Sequence, residues 1–131
     1  MDKNIIELIK NISFWKSKIT ISPVEGGITN QNFLVNDGSR KYFVRIGDDI
    51  PEHLVFRSNE IQASNAASKI GVSPELLFHD KSIQVFNFID GKTLDSTDIK
   101  NNLEQITKLI KKVHSKMPDQ LVGQSVIFWV F

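Results

Sequence analysis

Gly26-Gly27-Ile28-Thr29-Asn30 stands between two runs of strand character, Ile19–Glu25 and Gln31–Asn36. A turn of that composition can bring backbone N–H groups and the Thr29 hydroxyl to one point, which is what a phosphate requires. Gly26 and Gly27 permit close backbone approach, although a Gly-Gly turn also serves as a plain hairpin connection. Arg45 lies inside the run Tyr42-Phe43-Val44-Arg45-Ile46, and Glu60 falls in the helical stretch that follows. Paired with Glu60, the Arg45 guanidinium would face phosphate oxygens; unpaired, a strand arginine extends its head to solvent. Arg57, one turn before Glu60, could be a second phosphate ligand or a surface partner at i,i+3. Phe86-Asn87-Phe88-Ile89-Asp90-Gly91 joins strand character to a sudden break. Backbone groups before such a break can hold an adenine edge, with Phe88 and Ile89 supplying an apolar slot; the alternative is an ordinary buried strand. Covering phosphates, neutralising them and holding adenine make up one half of an ATP site.

The elements that must position these residues follow from pattern. Ile5, Ile6, Leu8, Ile9 and Ile12 recur at helical spacing and predict a short amphipathic helix over 2–12. Two strands form a hairpin around the glycine turn. Asp37-Gly38-Ser39 then turns the chain into a third antiparallel strand, Lys41–Gly47. Residues 53–70 read as a helix with Gly71 as its cap and Pro74 beyond. Glu75–His79 and Ser82–Ile89 are two further strands joined at Asp80-Lys81, and Asp90-Gly91-Lys92-Thr93 marks a hinge. Ile99, Leu103, Ile106, Ile110 and Val113 then make one apolar helical stripe, with Ser96 or Thr97 as its cap. The order is helix, three strands, helix, two strands, hinge, helix, with a domain boundary expected between residues 1–91 and 92–131.

Composition narrows the partners. At 131 residues the chain is one domain's worth, and 40% hydrophobic with 24% charged residues fits a globular protein. A net charge of +1 gives no support for nucleic acid as a partner. No apolar run approaches the roughly 20 residues of a membrane span, and the N-terminus has no secretory core. There is no cysteine, which fits a cytoplasmic location and removes thiolate chemistry. His53, His79 and His114 are far apart and lack ligand spacing, so no metal site is expected; His114 reads as a helix-terminal residue. The apolar tail Val126–Phe131 reads as the start of a core element whose partners lie downstream, the alternative being a buried terminal strand.

Taken in order, 26–35, Tyr42–Ile46, Arg57–Glu60, Gly71–Pro74, Phe88–Gly91 and Val113–Ser115 resemble the N-terminal lobe of the choline/ethanolamine kinase family. That family lies within the aminoglycoside phosphotransferase-like, protein-kinase-like fold. The resemblance implies an α+β lobe: a five-stranded antiparallel sheet with one packed helix, an N-terminal helix, and the first helix of a truncated C-lobe. It implies phosphate-loop roles for Gly27, Thr29 and Asn30, with Gly26 in the same turn. Arg45 resembles the basic third-strand residue that touches the α- and β-phosphates, with Glu60 its partner. The Asn87 carbonyl and Ile89 N–H would hold adenine. It further implies ATP and Mg²⁺ as cofactors and a small alcohol, choline or ethanolamine, as phosphoryl acceptor.

The sequence departs from that family at one decisive place. No His-x-Asp loop occurs, because the three histidines are followed by Leu54-Val55, Asp80-Lys81 and Ser115-Lys116. The resemblance therefore places the base, the metal ligands and the acceptor pocket outside these residues, and the chain alone is expected to be inactive. Two other readings stand beside it. One is a non-catalytic nucleotide- or protein-binding module, and the other is an α+β domain whose resemblance is coincidental.

Overall fold

The computed structural model describes residues 3–26 and 29–122. Helix α1 (Lys3–Lys10) precedes strands β1 (Thr20–Val24), β2 (Gln31–Asn36) and β3 (Lys41–Ile46). Helix α2 (Arg57–Lys69) leads to β4 (Leu76–Asp80) and β5 (Ile83–Asn87), and α3 (Ser96–Asn101) and α4 (Leu103–Lys116) follow. The strands form one five-stranded antiparallel sheet in the order β1-β2-β3-β5-β4. Gly27 and the apolar tail fall outside the described residues.

Directly opposed residues of an antiparallel pair share a face, and successive residues alternate between faces. Phe33, Val44 and Val85 are in register, as are Gln31, Ile46 and Ile83, so one face is almost wholly apolar. That face is the core. Phe33, Val35, Tyr42, Val44, Ile46, Ile83 and Val85 are buried on it together with Ile9 of α1, and Phe14, Trp15, Leu77 and Phe78 pack around them. The helical spacing of α1 thus turns Ile9 down onto the sheet while Leu8 remains 43% exposed.

The turn between β2 and β3 is held by one carboxylate. Asp37 Oδ1 accepts from the N–H groups of Arg40 (2.9 Å) and Ser39 (3.1 Å) and from the Ser39 hydroxyl, and Tyr42 donates its hydroxyl to Oδ2. The Arg40 N–H, with the Ser39 and Tyr42 donors, outweighs desolvation and lowers the Asp37 pKa to about 2. A depressed carboxylate stabilises the fold above its unfolded pKa of about 3.9 and loses that contribution as pH falls through about 2. Urea midpoints followed from pH 5 to pH 2 are therefore expected to fall more steeply for the native chain than for Asp37→Asn. Parallel curves would remove Asp37 from the acid transition.

Helix boundaries differ from the sequence expectation in several places, beginning with α1, which ends at Lys10 and not at 12. Helix α2 starts at Arg57, not 53, because Ile50 and Val55 bridge each other through two hydrogen bonds (2.9 and 3.1 Å) around a 3₁₀ turn, with Leu54 at φ 56°. Its end is as expected. Gly71 takes φ 66°, and the N–H groups of Val72 and Gly71 donate to the Ala67 and Ser68 carbonyls, closing a Schellman motif. The last helical stretch is capped by Asp95 and not by Ser96 or Thr97. The Asp95 carboxylate, one residue upstream, reaches the N–H groups of both Thr97 and Asp98, and Asp98 returns the bond to complete a capping box. The stretch also breaks at Asn102, whose φ of −124° is not helical and whose side-chain amide donates to the Asp98 carbonyl.

Candidate functional site

The second face of the sheet is graded. Asn32, Arg45 and Gln84 are in register across β2, β3 and β5 and form a polar row. Two residues along, Leu34, Phe43 and Phe86 form an apolar row, and Asn36 and Lys41 follow. The Arg45 guanidinium lies 5.7 Å from the Phe86 ring centroid and 6.0 Å from that of Phe43, so its charge rests at the boundary between the two rows. Contacts of that kind stabilise a cation by about 0.5–1 kcal/mol at exposed sites. At the far end, Phe88 is half-buried with the Lys41 ammonium 5.7 Å from its ring, whereas Ile89 is exposed.

Helix α2 brings its first turn over the polar row. Arg57 is only 4% exposed. Its backbone N–H donates to Asp49 Oδ1 (2.6 Å), its Nε donates to the Asp48 carbonyl (2.8 Å), and Nη1 lies 2.7 Å from Glu60 Oε2. Gln84 Nε2 donates to the same Glu60 oxygen at 3.1 Å. The expected Arg45–Glu60 pair is therefore corrected: the partner of Glu60 is Arg57, and among the described residues no ion pair joins Glu60 to Arg45. The reason is burial. A guanidinium out of water requires a carboxylate at hand, and Glu60 is one helical turn away on the same side. Arg45, half-buried against two rings, has less need of one.

Gly47, immediately after β3, makes this approach sterically feasible. A Cβ there would stand 2.6 Å from Arg57 Nη2 and 2.9 Å from its Cζ, and would also collide with Asn30 Oδ1. The bare Cα is the seat on which the guanidinium and the Asn30 side chain meet the sheet. Nearby, Asn32 Nδ2 donates to the Gly26 carbonyl (2.7 Å), tying the glycine turn to β2, and Gly26 takes φ 109°, a conformation that favours glycine. Thr29 is exposed beside it.

The polar atoms of this patch share a property. Among the described residues, the buried side-chain atoms without a hydrogen-bond partner include Asn30 Oδ1, Asn32 Oδ1, Arg45 Nε, Arg57 Nη2 and Gln84 Oε1, while Arg57 Nη1 has only its ion-pair contact with Glu60. All lie on this patch. Each such group costs about 1–3 kcal/mol when left unsatisfied. The Arg45 and Arg57 nitrogens are donors that fit an anionic ligand, the three amide oxygens require donors from a ligand or water, and the Leu34–Phe43–Phe86 row fits a flat apolar ring. No group of three or more His, Asp or Glu side chains among the described residues is placed to hold a metal ion.

The family model for choline/ethanolamine kinases matches residues 21–126. The chain belongs to the choline/ethanolamine kinase family. An ethanolamine kinase of Plasmodium vivax is similar over 75% of this chain, at 26% identity and a TM-score of 0.61, and the match takes in 27% of that protein. A choline kinase of Cryptosporidium parvum Iowa II is similar over 88% of this chain, at 24% identity and a TM-score of 0.64, and the match takes in 36% of it. The chain thus spans well under half the length of either kinase structure. No curated protein matches the sequence.

Within this choline/ethanolamine kinase fold, the structure gathers Gly26, Asn30, Arg45 and Glu60 at the polar end of the face, with Thr29 on the adjoining turn. Phe88 and Ile89 lie beyond the opposite end. Asn87 shares register with Tyr42, its N–H donates to the Glu75 carbonyl, and its amide donates to Glu75 Oε2 at 3.4 Å. Gly47 and Gln84 carry no site signal of their own in the sequence, whereas Asn32 closes the glycine-turn stretch 26–32. The signal for Gln84 is parity: once the strands are in register, it flanks Arg45 on its own face.

Proposed function

We propose that this chain is the ATP-binding portion of a small-molecule kinase whose acceptor is choline or ethanolamine. In this reading residues 1–91 are the nucleotide-binding lobe and 92–131 begin the second lobe. The adenine lies over Leu34, Phe43 and Phe86, with its edge toward the Asn87 carbonyl and the Ile89 N–H. The phosphates run toward Arg45, under the turn residues Gly26, Thr29 and Asn30. In the reaction the acceptor hydroxyl oxygen bonds to the γ-phosphorus, the bridging bond to ADP breaks, and the hydroxyl proton passes to a base. Mg²⁺, when bound, would supply charge neutralisation on the phosphates. The contribution of this chain is to orient the nucleotide and offset phosphate charge, since its sequence holds no His-x-Asp loop.

The observation that supports this reading is the cluster of unpartnered buried polar atoms around Arg45, next to an apolar row on the same face. Family membership adds the reaction class. The test is binding. Mg-ATP at 100 times its dissociation constant is expected to stabilise the chain by about 2.7 kcal/mol. Arg45→Ala should remove most of that gain with little change in nucleotide-free stability. A full gain in the variant would take Arg45 out of the site, and no gain in the native chain would overturn the nucleotide reading.

A further inference from the structure

Arg57 offers a donor that the fold does not use. Its Nε is fixed by the Asp48 carbonyl and its Nη1 by Glu60, so the guanidinium plane is set, yet Nη2 has no partner. That atom lies over the bare Cα of Gly47, on the same seat as the unpartnered Asn30 Oδ1. Arg57 also lines a cavity of about 430 Å³ walled by Asp48, Asp49, Ser58, Ile61, Lys81 and Ser82. The acidic groups facing it are already engaged in part: Asp49 accepts the Arg57 N–H at the start of α2, and Glu60 is shared with Gln84.

Position along the face gives the ligand. Gly47 lies two residues beyond Arg45, a step of about 7 Å along an extended chain, directed away from the apolar row. With the base on that row and the inner phosphates at Arg45, the outer phosphates of a nucleotide extend in this direction. We propose that Arg57 is a second phosphate ligand, binding the outermost phosphate through Nη2 and setting a preference for nucleoside triphosphate over monophosphate. The assignment rests on the nucleotide reading above. A guanidinium already held at two of its three nitrogens loses little freedom when the third is engaged, so it suits a phosphate oxygen better than a mobile lysine.

The test compares Mg-ATP and AMP affinities by calorimetry for the native chain, Arg57→Gln and Arg57→Lys. A hydrogen bond to a charged group predicts that Arg57→Gln weakens Mg-ATP about 10- to 100-fold while leaving AMP within about twofold. Arg57→Lys is expected to show the same selective loss, because its single ammonium is taken by Glu60. It keeps the buried pair, and so remains informative if the glutamine variant does not fold. Equal losses for ATP and AMP, or no loss for either, would overturn the Arg57 assignment while leaving the nucleotide reading in place. A native chain that binds neither nucleotide overturns both.

Discussion

Glu60→Ala lowers the unfolding free energy of the nucleotide-free chain by about 3 kcal/mol, read from urea midpoints at neutral pH. The argument turns on Arg57, not on Glu60 itself. With its side chain 5% exposed, the guanidinium cannot recover hydration when its carboxylate is removed, and one Gln84 donor loses its acceptor as well. Removing one partner of a buried pair costs about 3–5 kcal/mol, and the 27% exposure of Glu60 places the loss at the lower end. Replacing both partners, as in Arg57→Gln with Glu60→Gln, leaves neutral amides that can bond each other, so the double variant should regain most of the loss. A loss below about 1 kcal/mol in Glu60→Ala would mean that water reaches Arg57.

Ile9→Ala is the second large effect, with about 2–5 kcal/mol expected. Ile9 is 0% exposed, as are Val35, Val44 and Val85 on the sheet face it covers, so truncation leaves a cavity enclosed by strands that cannot close over it. Its carbonyl also accepts from Trp15 Nε1 at 2.6 Å, so the α1 backbone is anchored and cannot slide in to fill the space. Leu8→Ala, on the adjacent exposed side, should change stability by less than about 0.5 kcal/mol. Similar urea midpoints for the two variants would mean that α1 does not seal the sheet. Because the core lies on the face opposite Arg45, Ile9→Ala should weaken the fold without changing the ratio of ATP to AMP affinity.

Local chemistry made much of this molecule legible. The alternation from Gln31 to Asn36 and the Asp37-Gly38 turn defined β2 to the residue, and β3 to within one residue at its end. Gly71 ended α2 where a left-handed residue was needed. The glycine turn, Arg45 and the residue order also sufficed to place the chain beside the choline/ethanolamine kinases. These features are written in neighbouring residues, because hydrogen-bond geometry and side-chain period act over only a few positions.

Contacts between distant segments were decided elsewhere. Asn32, Arg45 and Gln84 become one row only through strand register, and Glu60 chooses Arg57 over Arg45 because the fold buries one cation deeply and rests the other on two rings. Gly47 is an unremarkable strand-end glycine in the sequence, and becomes a seat only when α2 lowers Arg57 onto it. Sequence by itself determined the strands, turns and family of this protein, since those depend on short-range preference. Tertiary structure alone determined which charges are paired and which donors remain free, because pairing follows from burial, and burial is a property of segments that meet across the sheet.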